Sequence, residues 1–325
     1  MAAPNFTLIR GGQINQAGDD RALFLKTFGG EVFTAFDEAN VFGSRSYTRS
    51  LTNGKSAAFP SIGGKTAYYH TPGVMSVGTP GNLAETILTV DDFLESASSI
   101  AEIDQAMAHF DYRGPFSKED GRAIARLYDA NVARVGVQAA LTTASRFAGT
   151  SDIYEAKTIG KIVTKANAMT TVADLKAGML ELAINFDEKD VDEMDRNFFI
   201  KPAQYALLAA DNETISSDYG SAADQKTLRV PQLYTFNLVK TNNLPTTAIT
   251  GTYGDKYNVD ARNVVGLAMK PGAVGTVKVR DLSVGMTGND YKVTHNATLV
   301  TSRMLVGHGK LRPELAGVIR TATPV

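Results

Sequence analysis

Gly54-Lys55-Ser56 and Gly64-Lys65-Thr66 each set a glycine, a lysine and a hydroxyl side by side, the trio that cradles phosphate in nucleotide-binding loops. The full phosphate loop also needs a glycine five positions earlier and a helix directly afterwards. Those earlier positions hold Arg49 and Phe59, and Pro60 stops any helix soon after the first trio. Both trios therefore read as lysines and hydroxyls on an exposed excursion. The four histidines, His70, His109, His295 and His308, form no close pair of metal-ligand spacing. His308 stands between Gly307 and Gly309, which reads as a tight backbone passage. There is no G-x-S-x-G elbow. Carboxylates crowd at Asp187, Glu188, Asp190, Asp192, Glu193 and Asp195, without the central glycine of a calcium loop. That run reads as a solvated turn, with a cation site as the lesser alternative. No nucleophile, base and orienting group can be named together, so no catalysis and no cofactor are expected.

The elements around these residues are extended ones. Residues 1–18 read as a polar arm. The next segment, 19–39, is helical in pattern, with Leu25, Phe28, Val32 and Phe36 recurring every three or four places. Phe24, Phe28 and Phe36 are its candidate packing residues, against another subunit or in an ordinary core. Gly29 and Gly30 suggest a bend or a close approach there. Residues 45–73 form a hairpin-like excursion with few large apolar groups, and a two-stranded ribbon is marginal alone in water. Residues 84–97 alternate as a strand, and Ser99 with Glu102 suggests the cap of a short helix.

The strongest pattern spans Ser117 to Ser145, with Ser117 and Asp120 as its cap and Ile124, Leu127, Asn131 and Val135 on one packing track. Such a helix is about 42 Å long and wants an elongated surface to lie on. Thr171 opens a further helix striped by Leu175, Met179, Leu182 and Phe186. NFFI at 197–200 reads as a buried strand, and Pro202 as the first turn of the helix after it. Two strand-like runs follow at 263–284, broken by Pro271-Gly272.

Composition narrows the class. The 325 residues carry 33 lysines and arginines against 34 aspartates and glutamates, a formal net charge of -1. That balance argues against a nucleic-acid reader and lacks the self-repulsion that keeps copies apart. There is no cysteine, hence no disulfide framework or thiolate metal site. No signal peptide and no apolar run of membrane-spanning length are apparent. Under-packed extensions are ordered by neighbours, and repeated copies supply neighbours most simply. The residues thus favour a self-assembling structural protein. A hydrolase using the α/β unit at 171–210 is the runner-up.

Five blocks, RALFLKTFGGEVFTAF (21–36), SLTNGKSAAFP (50–60), IDQAMAHFDYR (103–113), NVVGLAMKPGAVGTVKVRDL (263–282) and MLVGHGKLRPELAGVI (304–319), resemble the major capsid protein of T7-like short-tailed bacteriophages. The blocks fall in the family's order, and 146–262 is looser. The resemblance implies an α+β, HK97-like capsid fold. Its parts would be an N-terminal arm (1–44), an extended loop (45–80), a peripheral domain (81–159) with spine helix 117–145, an axial domain (160–270) and a return to the peripheral domain (271–325). It implies hexamers and pentamers of one chain in an icosahedral shell, T = 7, around double-stranded DNA held without sequence-specific contacts. Scaffolding protein during assembly, a portal at one vertex and other capsid proteins are the implied partners. The place is the virion, assembled in the host cytoplasm, with no membrane. On this reading Arg45, Arg49, Asn53, Gly54, Lys55 and Lys65 are the candidate contacts to the next subunit.

Overall fold

The computed structural model describes residues 22–78, 81–101, 113–147, 155–211, 230–251, 254–287 and 289–322. Helix α1 (Ala22–Ala39) leads to strands β1 (Tyr47–Ser50), β2 (Ser56–Ile62), β3 (Leu83–Thr89) and β4 (Leu94–Ala101). Helix α2 (Arg113–Ala140) is followed by β5 (Lys161–Thr164), α3 (Val172–Glu188), β6 (Asn197–Ile200) and α4 (Pro202–Ala209). Then come β7 (Gln232–Leu233), β8 (Phe236–Lys240), β9 (Ala248–Ile249), β10 (Val259–Asp260), β11 (Val264–Met269) and β12 (Val274–Met286). Helix α5 (Asn289–His295), β13 (Ala297–Lys310) and β14 (Ala316–Arg320) close the chain. It divides into two units, one of Met1–Asn40, Asp92–Tyr128 and Arg280–Val306, the other of Val41–Asp91, Asp129–Val279 and Gly307–Val325.

In the first unit α1 packs on the opening half of α2. Phe28 and Val32 are fully buried, Phe36 nearly so, and the Phe36 ring meets Tyr128 edge-on at 6.0 Å. The side chain of Phe24 lies outside those described. Gly121 makes the crossing close: a Cβ there would stand 2.5 Å from the Val32 carbonyl oxygen. Strand β4 pairs antiparallel with β13 from Leu94 opposite Met304 to Ala101 opposite Ala297. Ser96 and Ser98 of β4 each donate to Asp120 Oδ1 at 2.8 Å. This part of α2 is two-faced, with Ile124 and Tyr128 buried, Leu127 half-buried, and Arg122 and Arg126 exposed.

In the second unit a six-stranded sheet runs β5-β14-β11-β6-β8-β7. The strands β6, β11 and β14 are buried at every residue, as strands covered on both faces must be. Helix α3 lies on one face, its Leu175, Met179, Leu182 and Phe186 all inaccessible. The second half of α2 covers the other face, where a Cβ on Gly136 would stand 2.9 Å from Leu267 Cδ2. Here α2 is buried nearly all round: Asn131, Val132, Ala133, Val135, Val137, Ala139 and Ala140 are all at or below 4 % exposure. Gln138 sits on the apolar track because its Nε2 donates to the carbonyls of Lys256 and Asn258 at 2.9 and 2.8 Å.

Four expectations change. The strand read over 84–97 is two strands, because Val90 and Asp91 turn away to bond Lys55 O and Lys256. Ser99 is no helix cap: it lies in β4 opposite Leu299, and the rest of that expected helix lies outside the described residues. The long helix begins at Arg113 and stops at Ala140 rather than running 117–145. Ser117 is accordingly inside its first turns, with its hydroxyl donating to Glu31 Oε2 at 2.5 Å and lying 2.9 Å from Gly114 O. Its single buried stripe holds only for the first half.

Candidate assembly interface

The opening glycine-lysine trios lie on a ribbon. Gly54, at φ +125, turns the chain into β2, so a strand follows Lys55 where a phosphate loop would have a helix. β2 and β3 pair antiparallel from Ser56 opposite Thr89 to Ile62 opposite Leu83. Period-two alternation gives the ribbon two faces. The inner face carries Ala57 and Leu88, which pack on Val277 of β12 with Leu51, Phe59, Val90 and Leu311 around them. The ribbon therefore has a small core of its own at its base, contrary to the expectation that neighbours alone would order it. Ala57 is too small to have signalled this in sequence. The outer face carries Ile62, Leu83 and Ile87, at 73, 74 and 62 % exposure. Beyond the Gly63 N to Asn82 O bond the tip exposes Tyr68, Tyr69, Val74, Met75 and Val77, with the Tyr68 hydroxyl donating to Val77 O at 3.0 Å.

Both roots of the ribbon are fastened. On the N-terminal side β1 runs parallel to β12, and Leu51 N donates to Lys278 O at 2.7 Å. On the C-terminal side Lys256 Nζ donates to Thr89 O and to Asp91 Oδ1, both at 2.6 Å. The Tyr257 hydroxyl donates to the other Asp91 oxygen and accepts from His308 N at 3.2 Å. His308 is buried, its Nδ1 2.9 Å from the Thr276 hydroxyl, and burial pushes its imidazole pKa down to about 3. The same burial, with the Asp91 carboxylate beside it, pushes the Tyr257 phenol up. A second buried carboxylate holds the approach to β1. Asp129 accepts from Val41 N at 2.8 Å and Phe42 N at 3.1 Å, and from Asn243 Nδ2 at 3.3 Å. Apart from His308 between its two glycines, these groups carried no local sequence signal; Lys256 and Asp91 are 165 positions apart.

The glycines flanking His308 give β13 its close approach to this root. A Cβ on Gly307 would sit 2.2 Å from Thr89 O and 2.8 Å from Val90 Cα. Backbone must then move, so Gly307→Ala should cost about 3 kcal/mol and lower the melting temperature by several degrees, read by thermal unfolding.

The residues expected at a subunit contact fall into two groups. Asn53, Gly54, Lys55 and Lys65 are exposed on the ribbon. Arg45 is taken up inside its own chain, bonding Val41 O and Asn197 Oδ1, and Arg49 bonds Ala58 O at 2.9 Å over the Phe59 ring. Three carboxylates of the acidic run are matched by cations: Asp187 by Arg196 at 2.7 Å, Asp190 by Lys157 at 2.5 Å and Asp192 by Lys270 at 3.1 Å. Among the described residues no three metal-ligating side chains converge.

Residues 58–320 match the family described as Gp10A-like major capsid proteins. The major capsid protein of Escherichia phage T7 is 30 % identical over 339 residues, covering 93 % of each chain. That of Enterobacteria phage T3 is 28 % identical over 343 residues, covering 95 % of this chain and 94 % of the relative. The capsid structure of cyanophage P-SCSP1u aligns at a TM-score of 0.79 and 32 % identity, over 99 % of this chain and 100 % of that one. The mature capsid of bacteriophage PhiM1 aligns at 0.72 and 17 % identity over 88 % of each chain, a likeness of fold. With an α+β capsid fold and matched sequence over most of its length, the chain belongs to the Gp10A-like family of major capsid proteins, a structural family, and is homologous to those of phages T7 and T3.

Proposed function

We propose that this chain builds, as hexamers and pentamers, the icosahedral shell of a T7-like short-tailed phage. The ribbon carries the proposal. Its roots are fastened and its inner face is packed, while Ile62, Leu83, Ile87 and the tip hold apolar surface out to solvent. A monomer seldom exposes a contiguous patch of that kind, and a neighbouring copy is what covers it. In HK97-like terms 1–44 is the arm, 45–80 the extended loop, 81–159 and 271–325 the peripheral domain and 160–270 the axial domain. The shell has T = 7 geometry, encloses double-stranded DNA, carries a portal at one vertex and forms on scaffolding protein in the host cytoplasm. Lys55 and Lys65, exposed on the ribbon, are placed to meet carboxylates of the next copy, each such rim pair adding about 0–1 kcal/mol.

The test must spare the ribbon's core. Excising 50–66 would strip Ala57 from Leu88 and Val277 and confuse folding with assembly. Replacing 64–81 by an Asn-Gly turn closes the ribbon near the Gly63 N to Asn82 O bond and removes only the tip. That variant should keep the wild-type melting temperature and form no shells by electron microscopy. Shells of normal size would remove the ribbon's role, and a wild-type chain that never assembles would remove the capsid reading.

A further inference from the structure

A cavity of about 550 Å³ opens at the foot of the ribbon, outside the packed face. Arg49, Arg146 and Arg312 line it, with Phe59, Pro271 and Leu315 as apolar wall. Two of the three guanidiniums lean on one carboxylate: Glu314 takes Arg146, and takes Arg312 Nε at 2.9 Å. Arg49 bonds a backbone carbonyl instead. The groove is thus cationic with greasy sides, and its occupant must bring carboxylates and an apolar group. The ribbon of another copy brings only one carboxylate, Glu85 of β3, since residues 39–84 contain no aspartate or glutamate.

One exposed feature of this chain has the missing chemistry. The turn Asp192-Glu193-Met194-Asp195 holds Met194 out at 70 % exposure with carboxylates on both sides. It is built in advance of any contact. Asp190 and Asp195 sit at φ 57 and 58, left-handed conformations that bracket the turn. Arg196, fully buried over the Phe186 ring, ties it down through the carbonyls of Val191 and Asp192 and the Asp187 carboxylate. Lys157 and Lys270 occupy Asp190 and Asp192, which leaves Glu193 and Asp195 at the tip.

We propose that the arginine-lined groove at the foot of one copy's ribbon receives the Asp192–Asp195 turn of a neighbouring copy. Met194 enters between the apolar walls, and Glu193 and Asp195 reach Arg49 and Arg312 at the rim. Groove and turn differ, so the contact is heterologous and propagates from copy to copy around a ring. The proposal rests on the capsid reading, since it needs copies held side by side.

The chain has no cysteine, which permits a clean trap. Arg312→Cys combined with Glu193→Cys, oxidised in assembled shells of the full chain, should give a ladder of covalent dimers and larger multimers on a non-reducing gel. In parallel, Arg312→Glu should lower shell yield roughly tenfold, and adding Glu193→Arg should restore most of it. Arg312→Gln, with its melting temperature checked, separates loss of the contact from loss of the Glu314 pair. Only monomeric bands from intact shells, or a reversal at Arg312 without effect, would overturn this contact alone. An Arg312→Glu defect that no reversal at Glu193 or Asp195 rescues would show that another acidic protein fills the groove, and would overturn it too. A wild-type chain that forms no shells would overturn the capsid reading and this contact together.

Discussion

Val135→Asp should leave no soluble protein. Val135 is 1 % exposed, in the half of α2 that is buried nearly all round against the six-stranded sheet. A carboxylate there has neither water nor a path out to it along a free helix face. An unpaired buried charge costs on the order of 5 kcal/mol, comparable to the whole stability of many domains. Arg126→Asp, on an exposed face of the same helix, is the control. Its pair with Glu119 at 2.9 Å has both side chains 58 % exposed, and its loss should change stability by less than about 1 kcal/mol. Soluble, cooperatively melting Val135→Asp protein would mean that this half of α2 is not enclosed.

The second large effect is at Asp129. Asp129→Ala should cost about 3 kcal/mol, because the amides of Val41 and Phe42 and the Asn243 side chain lose their acceptor in a dry site. Asp129→Asn keeps the shape and removes the titration. Burial pushes the Asp129 pKa up from 3.8 to about 6, more than the opposing hydrogen bonds and Arg45 lower it. The folded chain therefore favours the neutral acid. That contribution to stability is complete below about pH 4 and is lost as pH rises through about 6, amounting to roughly 3 kcal/mol by pH 7. Stability of wild type relative to Asp129→Asn should thus fall between about pH 4 and about pH 6.5 in denaturant titrations and level off above that. A difference that stays flat across that window would place the Asp129 carboxyl in a wetter site.

What sequence showed was what is local. The Leu175-Met179-Leu182-Phe186 stripe, the NFFI strand, Pro202 opening a helix and the Pro271-Gly272 break all depend on neighbours within a few positions, and all stand as read. The break between β3 and β4 did not show, because alternation runs through it and Lys256, far along the chain, decides it. The ribbon's inner core was missed for a related reason: Ala57 and Leu88 lie on opposite strands and need Val277 to become a cluster. At the candidate interface, exposure of Asn53, Gly54, Lys55 and Lys65 was legible from glycine, turn and charge. The inward commitment of Arg45 was not, since nothing local marks Asn197 as its partner, and neither was the bond that the exposed Arg49 makes to the Ala58 carbonyl.

A ribbon clamped at both roots behaves as a cantilever. With Leu51 tied to Lys278 and Asp91 tied to Lys256 and Tyr257, its base has no swivel. Bending is then left to the described stretch beyond Ile62, where the β2–β3 pairing ends. A lattice that must fit one protein into rings of unequal curvature would then take up the mismatch at the outer end of this beam, while the footing travels rigidly with the body that carries it.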